Sequence, residues 1–180
     1  MQRQTPDADL AEFVAQSNRI EGEPDAPGHP LYDDHLSVAR GVAARPEEWL
    51  DPLGIHRRLM ASQPGKFPGE LRQVGVSVGG RLKMGPAEVR GEFPALLAAA
   101  AAAVPEDPEG WCWGMHHRLE WVHPFWDGNG RTGRLWMNAL RLTVGLRWLT
   151  VRYEDRFAYY RSIEEWEAQN AARPPGRRGR

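Results

Sequence analysis

The stretch from Arg131 to Gly145 constrains this chain more than any other. Leu135, Trp136, Met137, Ala139, Leu140, Leu142 and Val144 leave little polar surface at a helical period, and a helix apolar on most faces belongs at the centre of a packing. Other segments read as helices able to surround it. The first is predicted from Pro6 to Arg19, with Thr5-Pro6 as cap and first-turn pair. It places Leu10, Phe13, Val14 and Ser17 on one side and is stopped by Glu21-Gly22. A Pro- and Gly-rich loop from Glu23 to Pro30 follows. Further helices are expected over His29–Ala44, Pro46–Ala61, Pro86–Val104, Pro108–Val122 and Arg152–Gln169. Only Gly69–Arg81 changes character. Val74, Val76 and Val78 alternate with Gly75 and Ser77, the period of a strand, and Gly79-Gly80 supplies a turn. The expected fold class is therefore mainly α, a compact helical bundle carrying one short β-hairpin.

Composition narrows the function classes. With 23 Lys plus Arg against 24 Asp plus Glu, no net field draws the chain onto nucleic acid or anionic lipid, and neither is expected as a partner. The single cysteine, Cys112, excludes an internal disulfide and a Cys-based zinc cluster. No apolar run reaches membrane-spanning length, and none follows Met1–Asp7, so neither a membrane segment nor a signal peptide is expected and the expected location is cytoplasmic. The Ala172–Arg180 end, with Pro-Pro, glycine and four arginines, reads as a solvated, disordered tail.

The chemistry is concentrated in His123-Pro124-Phe125-Trp126-Asp127-Gly128-Asn129-Gly130-Arg131-Thr132-Gly133-Arg134. Asp127-Gly128-Asn129-Gly130 is turn chemistry able to aim backbone N–H groups inward. Such a turn opening into a helix N-terminus is a ready phosphate site. Arg131 and Arg134, three apart, share a face of the first turn and suit a polyphosphate. Asp127 is a hard oxygen ligand for a Mg²⁺ that bridges phosphates, and His123, at the end of the preceding helix, suits a general base. Singly, each feature is explained by an ordinary turn, cap or solvated face; their joint occurrence within one turn-to-helix junction favours phosphoryl or nucleotidyl transfer. Gly128–Gly133 also fits the G-x-G-x-x-G pattern, but no buried strand precedes it, as a dinucleotide fold requires. There is no Walker A loop, and His116, His117 and His123 lack the spacing of a zinc site with a general-base glutamate.

These residues closely resemble the signature of the Fic/Doc family, His-Pro-Phe-x-Asp/Glu-Gly-Asn-Gly-Arg-x-x-Arg, at every fixed position, and the resemblance extends from about Ser17 to Tyr160. It implies a Fic-type helical bundle that transfers AMP from ATP, with Mg²⁺, to a Ser, Thr or Tyr hydroxyl of a target protein. His123 then corresponds to the base, Asp127 to the Mg²⁺ ligand, and Gly128, Asn129 and Gly130 to the anion hole. Arg131 and Arg134 correspond to phosphate-contacting arginines, Arg134 near the γ-phosphate, with Thr132 and Gly133 in the same nucleotide-binding stretch. Arg72 and Val76-Ser77-Val78-Gly79 resemble the family's flap, which pairs with an extended target segment and lies against the nucleotide. Tyr159-Tyr160 resembles a pair near base and ribose. Glu167 stands where relatives often carry Asn, a departure that bears on adenine recognition.

Ser17-Asn18-Arg19-Ile20-Glu21-Gly22 fits the family's inhibitory pattern, Ser/Thr-x-x-x-Glu-Gly/Asn. It implies that Glu21 pairs with Arg134 and fills the γ-phosphate space, autoinhibiting the enzyme. The expected organisation is an inhibitory helix and loop over 1–28, a catalytic domain over 29–170 and the tail over 171–180. Removal of AMP, a Doc-like phosphotransferase and a catalytically silent peptide-binding module remain alternatives on the same site. A homo-oligomer is compatible with all of them.

Overall fold

The computed structural model describes residues 5–102 and 106–170. In chain order it contains α1 (Asp7–Glu21), α2 (Pro30–Ala44), α3 (Pro52–Leu59), the strands β1 (Ser77–Val78) and β2 (Arg81–Leu82), then α4 (Pro86–Ala100), α5 (Pro108–Val122), α6 (Asn129–Thr143) and α7 (Arg156–Asn170). Single 3₁₀ turns occupy Pro46–Trp49, Pro64–Lys66 and Tyr153–Asp155. The mainly α class with one hairpin holds.

α6 is the central helix. It packs against α1, α2, α3, α5 and the 3₁₀ turn at Pro46–Trp49, and every residue from Arg131 to Leu142 is buried. Leu135, Trp136, Met137 and Leu140 join Phe13, Val14, Ile55, Leu59, Leu96 and Leu119 in one core. A helix enclosed on all sides must satisfy its polar groups internally. Trp136 Nε1 donates to Leu50 O at 3.0 Å. Asn138 donates to Leu149 O at 2.9 Å and accepts from Leu149 N at 2.7 Å, binding the segment before α7 to the core.

Four boundaries differ from expectation, each for a local reason. Pro46–Ala61 is not one helix: Asp51 accepts from Leu53 N at 2.9 Å and Gly54 N at 3.3 Å, capping a new helix with Pro52 in its first turn. Thr5 does not cap α1; Pro6 holds that position with no side-chain cap bond. α6 starts at Asn129 rather than Arg131, because Gly128 takes the left-handed position before it (φ 73°). The expected last helix from Arg152 begins at Arg156, behind a 3₁₀ turn. α4 ends at Ala100, and the expected extension to Val104 runs into residues outside those described, as does the expected tail over 171–180.

The hairpin has the register Ser77↔Leu82 and Val78↔Arg81. Gly79 and Gly80 both have positive φ (56° and 78°), which is what a two-residue turn between twisted strands demands. Arg72 fixes this hairpin to the rest of the protein. Its buried guanidinium donates to His123 O and Val74 O, both at 2.7 Å, and to Met84 O, while its backbone N–H donates to Pro124 O at 2.9 Å.

Candidate active site

A cavity of about 740 Å³ opens between the N-terminus of α6, the hairpin and α7. Its floor is the loop joining α5 to α6. α5 ends at Val122, and His123 turns the chain in the left-handed region (φ 48°). Asn129 then clasps the loop: its side chain accepts from Phe125 N and donates to Phe125 O, both at 2.9 Å. His56 holds the loop from below. It stacks on Phe125 with ring centroids 3.9 Å apart. Its Nδ1 accepts from Gly69 N at 2.9 Å, which places the proton on Nε2, 3.0 Å from its acceptor, Asp127 O. Burial drives the His56 pKa down to about 4, so this bridge is neutral.

The expected site residues fall into four groups. His123, Asp127, Gly128, Asn129 and Gly130 line the cavity floor. The Asn129 side chain is spent on the loop, so only its backbone N–H is on offer to a ligand. No acceptor meets the N–H groups of Asn129, Gly130 and Arg131 among the described residues, as the first turn of a helix requires, and they form an anion-receiving site. Val76, Ser77, Val78 and Gly79 form one wall, with Tyr159 and Tyr160 opposite. Thr132 and Gly133 lie behind the floor; Thr132 is fully buried, and a Cβ on Gly133 would stand 2.9 Å from Glu120 Oε1 and His116. Neither lines the cavity.

Arg131 and Arg134 are each 1% exposed and lie beneath the end of α1. Arg134 is fully engaged. Nε donates to Ser17 Oγ at 2.9 Å, Nη2 to Ser17 O at 3.0 Å and to Glu21 Oε1 at 2.7 Å, and Nη1 to Tyr159 OH at 3.2 Å. Arg131 reaches Glu23 Oε1 at 3.4 Å, while its Nε and Nη1 are buried without hydrogen-bond partners among the described residues. Gly22 makes this possible. At φ 71° it closes α1, its own N–H bonding Arg19 O and that of Glu23 bonding Asn18 O at 3.0 Å. A Cβ on Gly130 would overlap Glu21 Oε1, so the glutamate rests against the first turn of α6. Both tyrosines brace the arrangement: Tyr159 OH also meets His116 Nε2 at 2.9 Å, and Tyr160 OH donates to Ile20 O at 2.9 Å.

Burial, then the Lys83 ammonium, lowers the His123 pKa to about 4, which leaves the imidazole neutral and able to accept a proton. For Asp127 burial opposes ionisation, but the Gly128 N–H at 2.7 Å, the Arg131 charge and Lys66 at 3.2 Å outweigh it and hold the carboxyl below its ordinary range. No group of three or more His, Cys, Asp or Glu side chains is placed to hold a metal ion among the described residues. A lone carboxylate beside an anion site suits Mg²⁺ that draws its other oxygens from water and phosphate. Asp127 therefore fits a metal that arrives with a polyphosphate.

His56, Lys66, Glu23 and Glu120 were not legible as site residues. His56 and Lys66 come from segments roughly sixty to seventy positions upstream with no local motif. Glu23 and Glu120 did carry a signal, being two residues after Glu21 and three before His123.

A central buried helix opening on a glycine loop, with a hairpin alongside and two arginines beneath, defines a helical domain built around an anion site at a helix N-terminus. The sequence profile described as the Fic/DOC family matches residues 51–140, half of the chain. The chain belongs to the Fic/DOC family. It is 31% identical over 117 residues to a protein adenylyltransferase Fic of Nematostella vectensis, covering 64% of this chain and 27% of that one. It is 34% identical over 113 residues to the protein of that name from Culex quinquefasciatus, covering 61% and 22%. The chain thus spans only about a quarter of the length of these relatives. Among solved structures, a Fic domain containing signaling protein from Bacteroides thetaiotaomicron superposes with a TM-score of 0.68 at 19% identity, over 88% of this chain and 71% of that one. Residues 134–508 of Fic-1 from C. elegans give 0.67 at 21%, over 90% and 56%. At these identities the superpositions bear on the fold alone. No helix among the described residues is long and apolar enough to cross a membrane.

Proposed function

We propose that this chain is an autoinhibited protein adenylyltransferase, moving AMP from ATP to a hydroxyl of a target protein. The observation that carries this reading is the convergence of a neutral His123, the free N–H groups of α6 and Asp127 on one cavity of nucleotide size. The names of the two curated relatives agree with it. In this reading the N–H groups of Asn129, Gly130 and Arg131 receive phosphate oxygens. Mg²⁺ held by Asp127 would supply charge neutralisation for the phosphates. His123 Nε2 takes the proton of the target hydroxyl as its oxygen bonds the α-phosphorus. The bond from that phosphorus to the bridging oxygen breaks, and pyrophosphate leaves with the electron pair. Positioning and fixed charge do most of the work. The exposed hairpin edge offers backbone groups to an extended target segment.

The inhibitory half of the proposal rests on Glu21. Its carboxylate sits on Arg134 and against the first turn of α6, where a γ-phosphate would otherwise go. Residues 1–28 then act as the inhibitory segment and 29–170 as the catalytic unit. Both halves are tested by incubating wild type, Glu21→Gly and Glu21→Gly/His123→Ala with Mg²⁺ and ATP and weighing the intact protein. A gain of one AMP only in Glu21→Gly is expected. A gain of one phosphate would reassign the reaction to phosphotransfer, and equal labelling of wild type would remove the brake.

A further inference from the structure

Glu120 lies in the last turn of α5, three residues before His123, so the two side chains share a face. Its side chain is 10% exposed, lines the same cavity, and brings Oε2 to 3.8 Å from His123 Nδ1. The backbone carbonyl of Glu120 lies 3.3 Å from the same nitrogen. Two acceptors of one residue thus flank Nδ1, which places the ring proton there and leaves Nε2 bare of protein partners among the described residues. Oε1 is buried without a hydrogen-bond partner among the described residues, and the absence of a side chain at Gly133 gives it room. The reaction described above makes no use of this carboxyl.

We propose that Glu120 is a positioning residue for the His123 base, orienting the ring through Nδ1 and stabilising the imidazolium that forms when Nε2 accepts the hydroxyl proton. The proton stays on the histidine; Glu120 contributes charge and direction. This rests on His123 being the base of the proposed reaction.

The surroundings of Glu120 tie this role to the brake. It faces Glu21 at the end of α1, Arg134 on α6, Lys83 after β2 and Glu167 on α7, with His123 on its own helix turn and Gly133 between it and His116. Burial, then the Glu21 carboxylate, pushes its pKa up to about 7, while Arg134 and Lys83 pull the other way. Withdrawal of Glu21 removes one of the charges that raise it.

The test is an NMR titration of the His123 ring in Glu21→Gly, Glu21→Gly/Glu120→Gln and Glu21→Gly/Glu120→Asp. An opposite charge at this distance shifts a pKa by about one unit or more, so the glutamine variant is expected to lower the His123 value by about one unit and aspartate to restore most of it. In the same proteins kcat for self-modification by ATP falls up to about tenfold with glutamine, the factor in one pKa unit, with KM for ATP unchanged. The acid limb of the pH profile moves down with the NMR value. An unchanged His123 pKa in the glutamine variant, or equal losses of kcat in glutamine and aspartate, overturns the proposal. A shifted pKa without AMP transfer in any variant supports the Glu120–His123 pairing and refutes the adenylyl-transfer reading instead.

Discussion

Replacing Glu21 by glutamine is expected to move stability and nucleotide affinity in opposite directions. The substitution keeps the shape of the side chain and removes its charge. Arg134 stays bonded to Ser17 and Tyr159, so it is not stranded; what is lost is the charge assistance of one 2.7 Å contact. Glu21 is 32% exposed, and water screens part of the attraction, so the loss is about 1–2 kcal/mol. For a chain of this size that lowers Tm by roughly 3–6 °C. The same free energy no longer has to be overcome when phosphate takes the place of the carboxylate, which tightens ATP binding by about 5- to 30-fold. Scanning fluorimetry across a Mg²⁺–ATP titration reads both quantities. The variant should melt below wild type without nucleotide and gain more from a given ATP concentration. Equal ATP-dependent stabilisation of the two proteins would refute the claim that Glu21 and the nucleotide compete for Arg134.

Other expectations follow from the same contacts. Gly130→Ala forces a methyl against Glu21 Oε1 and should destabilise by about 1–3 kcal/mol, with most of that cost gone in a Glu21→Gly background; an additive double-mutant cycle by urea denaturation would sink the contact. Burial holds the pKa of His56, His117 and His123 down to about 4 and that of His116 to about 3. The unfolded chain therefore binds more protons below pH 6.5, and stability should fall as pH drops from 6.5 toward 4, at up to roughly 1.4 kcal/mol per histidine per pH unit. Glu120, raised in the fold, offsets one of these; urea midpoints that stay level or rise between pH 6.5 and 5 would contradict the neutral, buried imidazoles. In hydrogen exchange, amides from Ser17 to Glu23 should exchange well ahead of those from Leu10 to Gln16, and matched rates would mean that α1 opens only as a whole.

The central helix, the hairpin and the loop of the site were readable because each is written in a few neighbouring residues. An apolar helical run, two glycines directly after alternating valines and an Asp-Gly-Asn-Gly turn opening into a helix are local statements; the structure keeps all three, with the helix beginning two residues earlier than expected, at Asn129. The Glu21–Arg134 contact spans 113 positions, yet it too was approachable, since both ends sit in short patterns. What stayed hidden were supports that obey no local rule. His56 reaches the carbonyl of Asp127 across 71 positions, and any donor of the right length would serve there. Tyr159 and Tyr160 were readable as a pair near a ligand. Their hydroxyls instead serve Arg134 and Ile20, because the end of α1 fills the space between α7 and α6. The split of Pro46–Ala61 turned on Asp51-Pro52, a cap signal that helical periodicity alone outvotes.

The division of labour within α1 explains why an inhibitory element can be part of the core. Its first half puts Leu10, Phe13 and Val14 at 3% exposure or less into the main cluster, and burying three such side chains is worth roughly 5–9 kcal/mol. Undocking the whole helix would forfeit a large part of the stability of an ordinary domain. The last turn is anchored differently: Ile20 sits in a small separate cluster with Tyr159 and Ile163, and the rest is polar contact to Arg134, Tyr160 and His35. Polar contacts exchange for water and for phosphate at little net cost, whereas apolar burial does not. Arg134 is held by that last turn together with Tyr159, and Arg131 by Glu23 just beyond it. A polyphosphate therefore competes with a handful of hydrogen bonds at the Gly22 end while the Leu10 end stays in the core, and inhibition is adjustable without unfolding the protein that it inhibits.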